Sequence, residues 1–252
     1  MSENQPVKTD TGSSPVSLRR QDMNITPVAK IYTDFPTKFG IPRQSGLCSS
    51  RGFIVFEKPY RSEDAVRGID GYSHLWLIWE FTEVKSETVH LTVRPPRLGG
   101  NTRMGVFATR SPFRPNKLGL SCVRLVEIRR NTPQGTVLVV EGADIVNGTP
   151  VYDIKPYLPF TDCKPDAVGG FGESIKSDIK NIRFDCAVPH TLTDERLDSL
   201  KSILAEDPRP HYQNDPERIY AFEFAGFSIK FKADGDTVFV TDITPSDLPT
   251  PR

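Results

Sequence analysis

Short runs of apolar residues, separated by glycine, proline and asparagine turns, recur along the chain from residue 25 to about residue 160. Several runs alternate apolar with polar positions, which is the pattern of a strand with one buried face. Apart from a possible short helix at 63–69, little helix lies between them. This pattern predicts a mainly β fold with a closed or nearly closed antiparallel barrel. The predicted strands are Ile25–Tyr32, Gly52–Phe56, Leu75–Phe81, Val89–Val93, Val123–Leu125 and Val137–Val140.

The pattern changes after Pro159. Residues 161–177 form a glycine-containing loop by composition, and residues 193–206 are the best predicted helix of the chain. Thr193 is suited to cap that helix, and Leu200 lies on its apolar face together with other leucines. The strands predicted around this helix are Ile179–Phe184, Ile219–Ala225, Phe227–Phe231 and Val238–Ile243, the last three as an antiparallel meander.

These patterns predict three parts of the chain. Residues 1–24 are rich in Ser, Thr, Gln and Asn without hydrophobic periodicity, so we expect a disordered N-terminal tail. Residues 25–162 are predicted to form the antiparallel β-barrel domain. Residues 163–252 are predicted to form a small α+β C-terminal domain.

The charges of the chain are unevenly spread, although the formal charge of its 252 residues is zero. Between Arg94 and Arg130 there are nine Lys or Arg residues and one Glu, a local charge of +8. A neutral total therefore conceals a basic segment, which indicates an anionic partner.

The four cysteines and four histidines are scattered along the chain, with no C-x-x-C pair and no H-E-x-x-H motif. We therefore expect no metal site, and buried or incidental thiols. No apolar run approaches the roughly 20 residues of a membrane span, and the N-terminus lacks the apolar core of a signal peptide. We expect a cytoplasmic protein with no membrane association.

The basic segment contains a loop, 103–119, in which three cations alternate with prolines. Arg110, Arg114 and Lys117 are interleaved with Pro112 and Pro115. Because proline restricts the backbone, the loop is expected to hold its cations in few arrangements. Guanidinium groups offer forked donors and a flat face, so the loop is suited to an anionic, planar ligand. The alternative is a solvated basic turn between two strands.

Two other polar groups are ambiguous on the residues alone. Asp144 and Asn147 lie at a turn after a strand, where such side chains commonly cap the turn by local hydrogen bonds. Arg43 and Gln44 lie in an irregular loop, where they either bind a ligand or face solvent. Neither pair by itself indicates a ligand.

Long ordered motifs are spread over nearly all of the chain after the first two dozen residues. They are PRQSG at 42–46, AVRGIDGYSHLWL at 65–77, VRPPRLGGN at 93–101, GVFATRSPFRPNKLG at 105–119, DIVNGTPVYDIKPYLPF at 144–160 and EDPRPHY at 206–212. Together these motifs resemble the TsaA-like (YaeB, TrmO) family.

The resemblance implies a tRNA methyltransferase that uses S-adenosylmethionine to methylate the exocyclic nitrogen of threonylcarbamoyladenosine beside the anticodon. It also implies a homodimer with cofactor sites near the subunit interface. The residues implied to contact the methyl donor are Pro42, Arg43, Gln44, Thr82, Glu83, Arg110, Leu120, Asp144, Ile145, Val146 and Asn147.

The basic segment then becomes the expected tRNA surface. The residues expected to contact phosphates are Arg94, Arg97, Arg103, Arg114 and Lys117. Lys117 stands where the P-N-P-I-G form of the family motif has a proline, so the loop is expected to be less rigid here.

The sequence has no G-x-G-x-x-G fingerprint, which weighs against a Rossmann-type methyltransferase. It does not weigh against methyl transfer, because the donor carries its own sulfonium leaving group and the protein needs only to align the reactants. Asp144 and a water molecule are both candidate acceptors for the proton that the attacking nitrogen loses. Two other classes stay open: a non-catalytic RNA- or nucleotide-binding barrel, and an enzyme acting on a small anionic substrate.

Overall fold

The computed structural model describes residues 24–85, 88, 90–95, 98, 101–175, 179–209 and 215–248. The predicted disordered tail, except for Asn24, lies outside these residues. The helices are α1 Pro159–Asp162 and α2 Asp194–Ala205. The strands are β1 Ala29–Thr33, β2 Arg51–Phe56, β3 His74–Glu80, β4 Thr92–Val93, β5 Met104–Gly105, β6 Leu118–Thr132, β7 Gly135–Glu141, β8 Thr149–Pro156, β9 Asn181–Phe184, β10 Tyr220–Phe224, β11 Phe227–Asp234 and β12 Thr237–Pro245.

Six strands form a closed barrel in the order β1-β2-β7-β6-β3-β8, with antiparallel pairing throughout. The barrel closes where Ala29 of β1 pairs with Val151 of β8. Alternate residues of β3 are buried, so Leu75, Leu77 and Trp79 point into the core. The mainly β fold and the antiparallel barrel predicted from the apolar runs are confirmed.

Two local predictions in the barrel need correction. The possible helix at 63–69 is two short 3-10 turns, Glu63–Val66 and Ile69–Gly71. In the described part of the predicted strand at 89–93, only Thr92–Val93 pairs, with β5. The apolar residues Val106–Ala108 form a 3-10 turn in which Val106 is buried.

The C-terminal residues form a four-stranded sheet, β10-β11-β12-β9, packed with α2. The predicted helix begins as expected, since the Thr193 hydroxyl accepts a hydrogen bond from the Arg196 amide, and Leu200 and Leu204 are fully buried. The meander β10-β11-β12 is also confirmed. The parallel pairing of β9 with β12 was not predicted, because parallel neighbours come from distant parts of the chain.

The loop between β1 and β2 ties the two sheets together. Phe35 and Cys48 from this loop are buried in the same core as Phe224 of β10, and the rings of Phe35 and Phe224 lie 5.5 Å apart. Asp34 pairs with Arg196 of α2 at 2.9 Å. The loop that carries Arg43 and Gln44 is therefore anchored against the C-terminal sheet.

The four cysteines are free thiols, as expected. Cys48 is buried, and burial raises its pKa to about 11, so this thiol is protonated and unreactive. No helix among the described residues is long and apolar enough to cross a membrane.

Candidate functional site

A half-open cavity of about 730 Å³ lies between β3, the start of β6 and four loops, within the size range typical of small-molecule sites. The loops contribute residues from 38–44, 81–85, 109–114 and 144–149. Nine of the eleven predicted donor-binding positions, and Arg114 from the predicted RNA set, line it together with apolar side chains. Those nine are Pro42, Arg43, Gln44, Thr82, Glu83, Arg110, Leu120, Asp144 and Val146.

The cationic side of the cavity is built from Arg110 and the 42–44 loop. The exposed Arg110 guanidinium donates a hydrogen bond to the side-chain oxygen of Gln44. The side-chain nitrogen of Gln44 donates to the Arg43 carbonyl at 2.6 Å. Gln44 thus orients Arg110, and Arg110 keeps further donors of its fork for a ligand.

Arg43 is held from the other side by the C-terminal sheet region. Its Nη2 atom donates to the carbonyl of Asp207 at 2.5 Å and to the carbonyl of Arg209 at 3.2 Å. The side chains of Arg43 and Gln44 are therefore both held by hydrogen bonds within the protein, so neither is simply a solvent-facing loop residue.

Asp144 is one of the carboxylate residues that line the cavity, with Glu80 and Glu83. Trp79 Nε1 donates to the Ser121 hydroxyl at 2.9 Å, and that hydroxyl donates to Asp144 Oδ1. Burial raises the pKa of the Asp144 carboxyl above its ordinary value, and the Ser121 hydrogen bond and the charge of Arg110 oppose this rise. Asp144 is thus a desolvated carboxyl whose proton affinity is set by the cavity.

The proline-containing loop is braced by two of its own cations. Arg114 Nη1 donates to the Thr109 carbonyl at 2.7 Å, and Lys117 Nζ donates to the Val84 carbonyl at 2.9 Å. Lys117 has a φ of 47°, a left-handed conformation that a proline is unable to adopt. The expectation of a less rigid loop at Lys117 did not take into account the hydrogen bond from Lys117 Nζ to Val84 of the facing loop.

Two predicted donor-binding residues have other surroundings. Ile145 is fully buried in the barrel core. The Asn147 side-chain oxygen accepts from the Thr33 amide at 3.1 Å, and the Asn147 amide donates to the Phe35 carbonyl at 2.8 Å. The structure therefore places Ile145 and Asn147 behind the cavity, where they shape the turn that presents Asp144 and Val146.

The predicted RNA-binding residues divide in the same way. Arg94 and Arg103 are exposed, and Arg103 Nη1 lies 3.4 Å from the Thr92 hydroxyl. Arg114 and Lys117 are half-buried loop braces, and Arg97 lies outside the described residues.

Sequence reasoning missed Trp79 and Gly119, which line the cavity, and Ser121, which supports it by its bond to Asp144. A Cβ atom at position 119 would lie 2.3 Å from Cε2 of Trp79. The pairing of Trp79 with Gly119 across β3 and β6 is the missing signal, because a bulky ring opposite a glycine suggests close packing. Among the described residues no cluster of His, Cys, Asp or Glu is arranged to hold a metal ion.

The arrangement combines the Arg110 guanidinium, the half-buried Asp144 carboxyl and apolar walls in one cavity on the barrel. Opposite charges suit a zwitterionic group, and Leu120, 58% exposed, offers an apolar contact to a flat ring. The fold and the site together define a ligand-binding β-barrel protein outside the Rossmann class.

Comparison with known proteins makes this class specific. The family model of the tRNA-methyltransferase O N-terminal domain matches residues 30–163, and that of the TrmO C-terminal domain matches residues 181–246. The chain belongs to the tRNA-methyltransferase O (TrmO) family, which confirms the resemblance seen in the motifs.

Individual relatives agree over most of their length. The tRNA (adenine(37)-N6)-methyltransferase of Escherichia coli K12 is 40% identical over 214 residues, which are 81% of this chain and 91% of that protein. The putative S-adenosylmethionine-dependent methyltransferase RcsF of Pseudomonas aeruginosa PAO1 is 34% identical over 233 residues, 89% and 99% of the two chains. A crystal structure of TrmO from P. aeruginosa matches with a TM-score of 0.71 and 28% identity, covering 88% of this chain and 99% of that one.

Proposed function

We propose that this protein uses S-adenosylmethionine to methylate the exocyclic nitrogen of threonylcarbamoyladenosine in tRNA, beside the anticodon. Family membership supports the coarser activity, transfer of a methyl group from this donor to N6 of adenine 37 of tRNA. The threonylcarbamoyl substituent is the finer part of the proposal.

The observation that carries the donor assignment is the placement of Arg110 and Asp144 in one cavity. The guanidinium of Arg110 complements the carboxylate of the donor's amino-acid tail, and Asp144 complements its ammonium group. Leu120 supplies an apolar surface for adenine. Pro42, Arg43 and Gln44 close one side of the cavity, and Thr82, Glu83 and Val146 lie on its other walls.

The donor supplies an activated methyl group, since its sulfonium sulfur takes the electron pair of the breaking carbon–sulfur bond. The protein's own task is to align the acceptor nitrogen behind that methyl group and to accept the proton that this nitrogen loses. Asp144 is a suitable acceptor, because burial raises its pKa and Ser121 fixes its carboxylate. A water molecule held by Asp144 would serve the same step.

The acceptor tRNA is proposed to lie on the basic segment. Arg94 and Arg103 are its exposed cations among the described residues of the predicted phosphate-binding set. An anticodon loop presents unstacked bases, so the modified base is able to reach a half-open cavity without duplex opening. We further propose a homodimer that acts in the cytoplasm, where tRNA is available.

The test compares two otherwise identical tRNAs, one with unmodified adenine 37 and one with threonylcarbamoyladenosine. Each is incubated with the protein and isotopically labelled S-adenosylmethionine, and its nucleosides are separated by mass spectrometry. We expect label only in the threonylcarbamoyl nucleoside, and little label with the Arg110→Ala variant. Label in unmodified adenosine would support methyltransferase activity but contradict threonylcarbamoyladenosine as the substrate. Binding of tRNA without any transfer would favour the non-catalytic RNA-binding barrel.

A further inference from the structure

Residues 206–209, the described part of the EDPRPHY motif, form a tight turn directly after α2, outside the barrel strands. The donor site proposed above gives this turn no role. Asp207 has a φ of 46°, an uncommon conformation for a residue other than glycine, and Pro208 restricts the next position. Such a turn persists only where its surroundings hold it.

A buried ion pair holds this turn. Arg209 Nε and Nη2 each donate to one carboxylate oxygen of Asp207 at 2.8 Å, and both residues are less than 10% exposed. Arg209 Nη1 also lies 3.3 Å from the Ala233 carbonyl of β11, which anchors the turn to the C-terminal sheet. Burial opposes ionisation of Asp207, but the bonds and charge of Arg209 outweigh it and lower the pKa of this carboxyl.

The backbone of the same turn is bonded to a residue of the cavity. The carbonyls of Asp207 and Arg209 both accept from Arg43 Nη2, and Arg43 lines the cavity. The main-chain carbonyl of Arg43 accepts from Gln44 Nε2, and the side-chain oxygen of Gln44 accepts from Arg110. The ion pair thus determines where two carbonyls lie, and the carbonyls determine where the Arg43 guanidinium lies.

We propose that the Asp207–Arg209 pair is a positioning element of the donor site, acting through Arg43 and Gln44 on Arg110. The proposal rests on the proposed function, because it takes the cavity to be the donor site. It assigns the C-terminal sheet a part in donor binding. Asp207 and Arg209 touch neither reactant, so they are positioning residues and not catalytic ones.

The structure contains a matched control. Arg196 and Asp34 form a second forked pair, with bonds of 2.9 and 3.2 Å, that also joins α2 to the loop after β1. Neither residue lines the cavity. Loss of this pair would weaken the same junction between the two sheets without releasing the carbonyls that hold Arg43.

The test is a double-mutant cycle measured by calorimetry with S-adenosylhomocysteine, the methyl-transfer product, as the probe. Arg209→Met should weaken binding by about tenfold, a typical effect of misplacing a charge-assisted hydrogen bond. In an Arg43→Ala background the same substitution should cause little further loss, because its route to the cavity is already broken. Arg196→Met should weaken binding much less than Arg209→Met, because the two carbonyls that hold Arg43 stay in place.

Thermal unfolding of every variant separates folding from positioning. If Arg209→Met does not fold, Asp207→Asn decides the question, since it removes the charge while keeping the side-chain shape. Unchanged affinity in a folded variant, or an equal loss in the Arg43→Ala background, would overturn the positioning role alone. If the unsubstituted protein binds no S-adenosylhomocysteine, the proposed function falls as well.

Discussion

The Ser121 hydroxyl donates a hydrogen bond to the Asp144 carboxylate while accepting one from the Trp79 indole. Ser121 lies on β6, Trp79 on β3, and Asp144 in the turn after β7. The only strongly desolvated carboxyl among the described cavity residues is therefore oriented by side chains that face the barrel interior. This places the chemistry of the cavity on the rigid part of the fold.

The first prediction concerns the pH dependence of stability. Because burial raises the pKa of Asp144 above its ordinary value of 3.8, its stabilising contribution is present below that value and lost as the pH rises through the folded-state pKa. We expect Asp144→Asn to be more stable than the unsubstituted protein at neutral pH, with a difference that shrinks toward pH 3.8. Urea unfolding at a series of pH values measures this difference.

Asp162→Asn is the control of opposite sign. Hydrogen bonds from the Leu158 amide and the Trp76 indole lower the pKa of Asp162, so its contribution is present above the ordinary pKa and lost as the pH falls. A difference between Asp144→Asn and the unsubstituted protein that instead grows at low pH would contradict the first prediction.

The second prediction concerns Arg110. Its guanidinium is exposed in the cavity and held by Gln44, so we expect Arg110→Ala to weaken donor binding by about tenfold or more and tRNA binding much less. Calorimetry with S-adenosylmethionine and a gel-shift assay with tRNA measure the two affinities. Arg67→Ala, on the barrel surface away from the cavity, should change neither. A larger effect on tRNA would make Arg110 part of the general basic surface.

The third prediction concerns the close approach of Gly119 and Trp79. A Cβ atom at position 119 would lie 2.3 Å from the indole, so Gly119→Ala must displace the ring that donates to Ser121. We expect a loss of about 1–3 kcal/mol in the free energy of unfolding, together with weaker donor binding. Denaturant unfolding and calorimetry measure these effects. Gly105→Ala, with no heavy atom within 4 Å of the added Cβ, should be close to neutral.

The fourth prediction separates the two kinds of cation in the basic segment. A double Arg94→Ala, Arg103→Ala variant should weaken tRNA binding and flatten its log-log salt dependence by about 0.7 per lost phosphate contact. Donor affinity should be unchanged, because neither residue lines the cavity. Arg114→Ala should instead reduce donor affinity, since it removes the bond to the Thr109 carbonyl beside Arg110.

The salt titration also locates the RNA surface. An Arg94/Arg103 variant that binds donor and tRNA normally, with an unchanged salt slope, would place the tRNA on another face of the protein. The Arg114→Ala variant is the positive control, because it shows that the donor-binding assay detects a disturbed 103–119 loop.

Local pattern and motifs were enough to predict most of the strands, the helix α2 and the family. Alternating apolar positions follow directly from burying one face of a strand, so β3 and the meander β10-β11-β12 could be predicted from local pattern. Likewise, Thr193 and the leucines of α2 carry local signals for the start and the buried face of a helix. The motifs predicted that Arg110 and Asp144 both contact the methyl donor, although the sequence does not show how far apart they lie.

Which polar residues line the cavity and which support it from behind depends on tertiary contacts that local sequence does not encode. Asn147 and Ile145 share a motif with Asp144, yet they lie behind the cavity, because neighbours in an irregular turn point in different directions. Arg43 and Arg209 are far apart in the chain, and a hydrogen bond between them becomes visible only after folding. Sequence pattern reports local periodicity, whereas contacts between distant segments depend on how the barrel and the C-terminal sheet pack.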